Sequence, residues 1–210
     1  MLPLTEGAGY KLFGAKMLPL TEGAGYKLFG AKMLPHPFIE MGLFLRCKML
    51  VNEGYFYHIR DEFFSLVQDR YLMANKENGA YRPHYLAVQD SHYTDIYWMI
   101  PVSSKVQKFR ALCEQQKRRY GVCTKIVLGE CGGQDAAFLI QNAFPVTSDY
   151  FDHVHTINNV PVTLHFSTRQ QVIDNLRHNL RLKKRGVNLF FPDIDKIYQL
   201  MQEHLSLEAL

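Results

Sequence analysis

Apolar positions along this chain come in short dense runs separated by polar turns, and their period shifts between two and about 3.6 residues. Tyr55-Phe56-Tyr57-His58-Ile59 is built from strand formers and reads as a first strand. Residues 61–67 have the pattern of a helical turn or short helix, and residues 75–79 form a polar loop with turn chemistry. Arg82-Pro83 leads into a second strand at 84–88. A turn at 90–95 follows, and residues 96–100 pair back as a third strand. From 103 to 120 the spacing of Val106, Phe109, Leu112, Cys113 and Tyr120 becomes helical. Ser103 or Ser104 is the N-cap and Gly121 the stop. Residues 122–128 and 136–144 read as two more strands, with Gly132-Gly133 in the turn between them. Residues 160–166 read as another, which Pro161 marks as an edge. Residues 168–185 are a second helix with Val172, Ile173, Leu176 and Leu180 inward and Gly186 at its end. Pro192-Asp193 starts a last short helix.

Strands and helices interleave without regular βαβ units, and several strand pairs have hairpin-length links. This predicts an α+β domain around a curved, mostly antiparallel sheet.

The first 48 residues stand apart. Residues 1–16 recur unchanged at 17–32, and a third unit at 33–48 keeps Met-Leu-Pro at its start and Lys at its end. The unit is too short for a solenoid, and its glycines and proline oppose both helix and strand. A flexible leader or an artefact of expression is one reading, so little order is expected before Met49. The division predicted is 1–48 as leader and 49–210 as the working domain.

With 210 residues, 47% apolar and 21% charged, the chain has the composition of a globular domain with a real core. A net charge of +4 permits a polyanionic partner without requiring one. Cys47, Cys113, Cys123 and Cys131 include no Cys-x-x-Cys pair, which opposes a zinc ribbon, and their spacing is unlike a secreted disulfide framework. Reduced cysteines in a cytoplasmic protein are the expectation. No apolar stretch reaches the roughly 18–20 residues that span a bilayer, so no membrane partner is expected. No Gly-rich phosphate loop follows a strand, so nothing favours an ATP or dinucleotide enzyme.

Candidate chemistry centres on Tyr97-Trp98-Met99-Ile100-Pro101-Val102-Ser103-Ser104-Lys105. An apolar strand ends at a proline, two hydroxyls and a lysine follow, and a basic helix begins. Hydroxyls, a cation and the positive end of a helix dipole therefore meet at one point, where a phosphate could be held. The plain alternative is a helix cap followed by a solvated lysine. If strands 84–88 and 96–100 form a hairpin, Arg82 and His84 come near Ser103, and His84 could act as general base or acid. Tyr81 and Tyr85 suit either base stacking or core packing. Lys117, Arg118 and Arg119, and then Arg181, Lys183, Lys184 and Arg185, cluster at two helix C-termini. The helix dipole accounts for both clusters, and so would a groove for RNA phosphates. His153-Val154-His155, with His165, raises a metal-dependent hydrolase as an alternative.

The run ending in Pro101-Val102-Ser103-Ser104-Lys105 resembles the active-site stretch of the ToxN/AbiQ family, the endoribonuclease toxins of type III toxin–antitoxin systems. The lead Arg82-Pro83 is similar to that family's, and so is the apolar run from Ala137 to Phe144 ending in Pro145-Val146. The likeness covers roughly residues 55–185. It implies a small barrel-like sheet with helices packed outside. It implies a sequence-selective, metal-independent endoribonuclease of phage defence that needs no cofactor. Single-stranded RNA would be cut by 2′-OH attack, leaving a 2′,3′-cyclic phosphate. It assigns Ser103 and Ser104 to the family's hydroxyl pair, either Lys105 or Lys108 to its lysine, and Arg82 to a cation facing the site. The implied partners are substrate mRNA and an inhibitory antitoxin of folded, pseudoknot RNA repeats, assembled with the toxin into a hetero-oligomer. Type III antitoxins are encoded as tandem repeats upstream of the toxin gene, so residues 1–48 also read as translated antitoxin repeats, with the toxin starting at Met49. A non-catalytic RNA-binding module remains the alternative from another class.

Overall fold

The computed structural model describes residues 51–77 and 79–208. The repeated leader at 1–48 and the expected start at Met49 lie outside them. In chain order the elements are β1 (Phe56–Ile59), α1 (Asp61–Val67), β2 (Lys76–Glu77), β3 (Ala80–Tyr81), β4 (His84–Gln89), β5 (Ile96–Ser103) and α2 (Val106–Tyr120). Then come β6 (Ile126–Cys131), β7 (Gln134–Leu139), β8 (Phe144–Thr147), β9 (Phe151–Val154), β10 (Thr156–Ile157), β11 (Val160–Pro161), α3 (Phe166–Lys184) and α4 (Ile194–Glu208). The protein is α+β. Seven strands form one sheet in the order β6-β7-β5-β4-β1-β9, with β8 also on β5, and each of its pairings is antiparallel. The sheet is open, ending at β6 and β9.

β5 is the centre of this arrangement. β4 pairs along one of its sides, with His84 opposite Pro101 and Tyr85 opposite Ile100. The other side is shared. β8 takes Ile96 to Met99, and β7 takes Val102 and Ser103. All eight residues of β5 are buried, because helices cover both faces of the sheet. On one face Phe56, Tyr85, Trp98, Ile100 and Phe138 pack with Val172 and Leu176 of α3. On the other, Tyr57, Leu86, Met99 and Phe144 pack with Phe63 of α1 and with Ile197 and Met201 of α4. Phe109 and Cys113 of α2 pack on Ile126, Ala137 and Leu139 of the β6–β7 hairpin. That hairpin turns on Gly132 and Gly133, both at positive φ (60° and 79°), a two-residue loop of the kind whose twist suits antiparallel strands.

Several boundaries differ from expectation for local reasons. The helix expected from Ser103 starts at Val106, because Val102 and Ser103 remain paired to β7. Its end at Gly121 is as expected, with Gly121 left-handed at φ 78°. The strand expected at 136–144 is two strands, β7 and β8, separated by a 3-10 turn at Ile140–Asn142. The turn is held by the Gln141 amide donating to the Lys125 carbonyl, and by Asn142 Nδ2 donating to the Tyr71 carbonyl. The strand expected at 122–128 begins only at Ile126, and Val122 is exposed. Of 160–166, Val160–Pro161 pairs with β10 in a small hairpin and Thr163 makes a single bridge to Tyr55, and α3 starts at Phe166 rather than Thr168. The last helix is a full 15 residues. β9 was not anticipated as an element, and it closes the β1 edge.

Phe138 is fully buried and packs its ring against Phe56 and Tyr85. Phe138→Ala is expected to cost about 3–5 kcal/mol of unfolding free energy. Urea denaturation of both chains would measure this, and a loss under about 1 kcal/mol would mean that this core is not the packed one described.

Candidate active site

The end of β5 opens into a cleft of about 390 Å³ whose lining includes Tyr81, Arg82, Ser104, Gln134, Asp135 and His155. Four separate segments meet there, one of them the β6–β7 turn with Gln134 and Asp135. The lead into β4 supplies Tyr81 and Arg82, the link from β5 to α2 supplies Ser104, and the segment after β9 supplies His155.

The link between β5 and α2 is shaped by Ser103. This residue is buried, and its Oγ accepts a hydrogen bond from the Lys105 backbone amide at 3.3 Å. A hydroxyl bonding two residues ahead makes a tight turn. It swings Ser104 out to solvent at the cleft while the chain enters α2. Lys105 is the N-cap of α2. No side chain caps that helix start, and no acidic residue occupies its first turn. The positive end of the helix dipole is thus not answered by a carboxylate on the helix itself. Lys105 follows Ser104 but is not among the cleft-lining residues. Lys108 lies on the first turn of α2, with Nζ 5.7 Å from the Phe109 ring.

Arg82 is buried, and part of its guanidinium is committed to backbone. Nη1 donates to the Val102 carbonyl at 2.6 Å, and Nε donates to the Ala74 carbonyl at 3.1 Å. These bonds tie the lead into β4 to the end of β5 and hold a cation in the cleft wall.

The structure places two expected residues elsewhere. His84 is wholly buried on the α1–α4 side, its ring 5.4 Å from Phe144 and 6.0 Å from Phe64. Burial first, then the Arg82 cation and His58, push its pKa down to about 3. It lies out of reach of a ligand in the cleft. Arg82 precedes β4 and lines the cleft, whereas His84 is the first residue of β4 itself, which is covered on both faces. Tyr85 is likewise a core residue, packed on Phe56 and Phe138, and not a stacking platform for a base.

The histidine in the cleft is His155. Its Nδ1 lies 3.0 Å from Nε2 of His58, and the His58 ring stacks on His153 at 4.4 Å between centroids. His153 Nδ1 in turn lies 2.8 Å from Asp152 Oδ2. His58 is opposite His153 in the β1–β9 register, so all three imidazoles share one face. Burial, reinforced by His153 and His155, lowers the His58 pKa to about 4, and burial followed by His153 lowers that of His155. His165 stands apart at the start of α3, bonded to Ser167 Oγ at 2.9 Å. Among the described residues no group of three His, Cys, Asp or Glu side chains is arranged to hold a metal ion, so the His153–His155–His165 set does not assemble.

The basic clusters separate. Lys117 and Arg181 line one groove between the C-terminal half of α2 and α3. Arg118 and Arg119 lie on the same last turn of α2, with Arg119 over the Tyr120 ring at 5.2 Å. Lys183 turns the other way and pairs with Asp195 of α4, and Lys184 lines a separate pocket with Asp90, Trp98 and Tyr198. Arg185 caps the end of α3 through its own backbone amide.

Because His58, His84 and His155 bind protons more weakly folded than unfolded, the unfolded chain gains protons first as pH drops. Stability is therefore full above the ordinary histidine value of about 6.5 and falls as pH drops toward the folded values. His84→Met should flatten that fall. Urea unfolding at about pH 7 and about pH 5 would check it, and an equal fall in both chains would contradict the buried neutral imidazole.

No protein-family model matches the chain, and no curated protein matches it. Among solved structures it is similar to AbiQ, described as a lactococcal anti-phage endoribonuclease belonging to the type-III toxin–antitoxin system. The identity is 14%, the match covers 75% of this chain and 99% of that one, and the TM-score is 0.49.

Proposed function

We propose that this chain is a sequence-selective endoribonuclease toxin of a type III toxin–antitoxin system, and that its active site is the cleft at the end of β5. The observation that carries this reading is the meeting of an exposed Ser104 and the Arg82 guanidinium at one cleft, with the start of α2 next in the chain after Ser104. The ordered sequence runs at 82–83, 97–105 and 137–146 support it from the chain itself.

RNA brings its own nucleophile, the 2′-OH, so the protein has to align that oxygen with phosphorus and answer the charge that grows on the phosphorane. Ser104 would contact the scissile phosphate through its hydroxyl. The exposed Lys105 side chain, next to Ser104 in the chain, would swing toward the non-bridging oxygens, with the positive end of the α2 dipole behind it. Arg82 would add positive charge from the wall while keeping that wall in place. The products would be a 2′,3′-cyclic phosphate and a 5′-OH. Lys117 and Arg181 form a second positive station on α2 and α3. Lys117 lies roughly 18 Å along α2 from Lys105, so a single RNA strand would cross both. A folded repeat RNA covering these two stations would inhibit by occupying them, and would tie toxin and RNA into one assembly. No described helix is long and apolar enough to cross a membrane.

Incubating the full chain with mixed-sequence RNA and EDTA should give cuts at a defined short motif. Ser104→Ala and Lys105→Ala should each lower the rate by about 10²-fold or more. Arg181→Glu should weaken RNA binding and flatten its salt dependence while leaving the cut site unchanged. RNA bound tightly but left intact by the unaltered chain would instead support the non-catalytic RNA-binding module.

A further inference from the structure

We infer that His155 is the catalytic residue that takes the 2′-hydroxyl proton, and that His58 is its positioning residue. This rests on the endoribonuclease reading and adds to it the one group that reading lacks, a proton acceptor in the cleft.

The geometry carries the assignment. His155 lines the same cleft as Ser104 and Arg82, whereas His84, the histidine nearest in sequence to Arg82, is sealed inside the core. One nitrogen of His155, Nδ1, is occupied by His58 Nε2 at 3.0 Å, which leaves Nε2 as the nitrogen for a ligand. The His58 ring is fixed on two sides. It stacks on His153 and meets the His155 ring edge-on, at 5.1 Å between centroids. With the shared proton on His155 Nδ1, His58 accepts it and His155 Nε2 presents a lone pair to the cleft. His58 is buried, with His153 and His155 as close neighbours, so it stays neutral and works as a hydrogen-bond partner rather than as a competing base. The charged and titratable groups around His155 and its cleft are His58 on β1, His153 and Asp152 on β9, Tyr81 and Arg82 before β4, and Cys131 and Asp135 flanking the β6–β7 turn.

The step balances without a co-reactant. The 2′-oxygen forms a bond to phosphorus as its proton passes to His155 Nε2. The bond from phosphorus to the 5′-oxygen breaks, and that oxygen takes a proton from water. The imidazolium returns its proton to solvent. Orientation of a base by a second hydrogen-bonded group is a general device in acid–base catalysis, and loss of such a base typically costs about 10²–10⁴ in rate.

The test uses the full chain and an RNA carrying the cut motif mapped with the unaltered protein. His155→Ala and His155→Gln should lower kcat by about 10²–10⁴-fold, with KM and binding of a 2′-O-methyl version of that RNA little changed. Added imidazole should restore part of the rate to His155→Ala and none to Ser104→Ala. His58→Leu should lower kcat at constant KM, and His58→Gln, which keeps an acceptor near the place of Nε2, should recover much of it. The inference is overturned if both His155 variants keep kcat within about threefold of the unaltered chain. It is equally overturned if the rate they lose comes with lost RNA binding and no imidazole rescue, which would make His155 structural. In either case cutting by the unaltered chain leaves the endoribonuclease reading standing. Failure of the unaltered chain to cut any RNA overturns that reading, and the base assignment with it.

Discussion

Burial of β5 on both faces is the constraint from which the rest of the structure follows. A strand covered by α3 on one side and by α1 and α4 on the other has to be apolar along its length, and Ile96 to Val102 meets that demand. It also has to satisfy its backbone on both edges, which β4, β7 and β8 do together. A strand fixed in this way delivers its last residues to one place. Ser103 stays in the sheet and Ser104 leaves it, and that one-residue change from buried to exposed sets a hydroxyl at the cleft on the edge of a packed core. Arg82 reinforces the same point by bonding the Val102 carbonyl from the neighbouring strand lead.

Polar groups so close to a core carry a cost, and the histidines bear most of it. His84 and His58 are both buried and held neutral. Removing a charged imidazole from water is unfavourable, so each persists in the form that the core tolerates. The consequence differs by position. His84 is closed in by Phe64 and Phe144 and serves packing. His58 is half of a hydrogen-bonded pair whose other half reaches the cleft. The same suppression of charge that makes one histidine inert makes the other a fixed acceptor for a neighbour.

The hairpin of 84–88 with 96–100 was legible from its two dense apolar runs and the turn chemistry between them, and so were the helix stop at Gly121 and the Gly132-Gly133 turn. The polar cluster at 103–105 was legible because serines and a lysine after an apolar proline-bearing strand are unusual neighbours. What local pattern could not give was anything set by distant pairing. Whether Ser103 caps a helix or ends a strand depends on β7, more than thirty residues later in the chain. Whether His84 or His155 reaches the cleft depends on β9 docking against β1, a contact between residues 97 positions apart in the case of His58 and His155. The His153-x-His155 spacing correctly implied one shared face. The third member of that face, His58, lay in a strand whose partner had no sequence signal. The basic cluster on α3 divided because residues two apart on a helix face different ways, so Arg181 lines the groove toward α2 while Lys183 pairs with Asp195 of α4.

The central claim is that the cleft at the end of β5 cuts RNA by using the substrate's own 2′-oxygen. The most direct measurement is the chemistry of the new RNA ends formed by the full chain in the presence of EDTA, read by end-labelling and mass spectrometry. A 2′,3′-cyclic phosphate paired with a 5′-hydroxyl is the predicted result. Ends with a 3′-hydroxyl and a 5′-phosphate would mean attack by water rather than by the sugar, and would contradict the account.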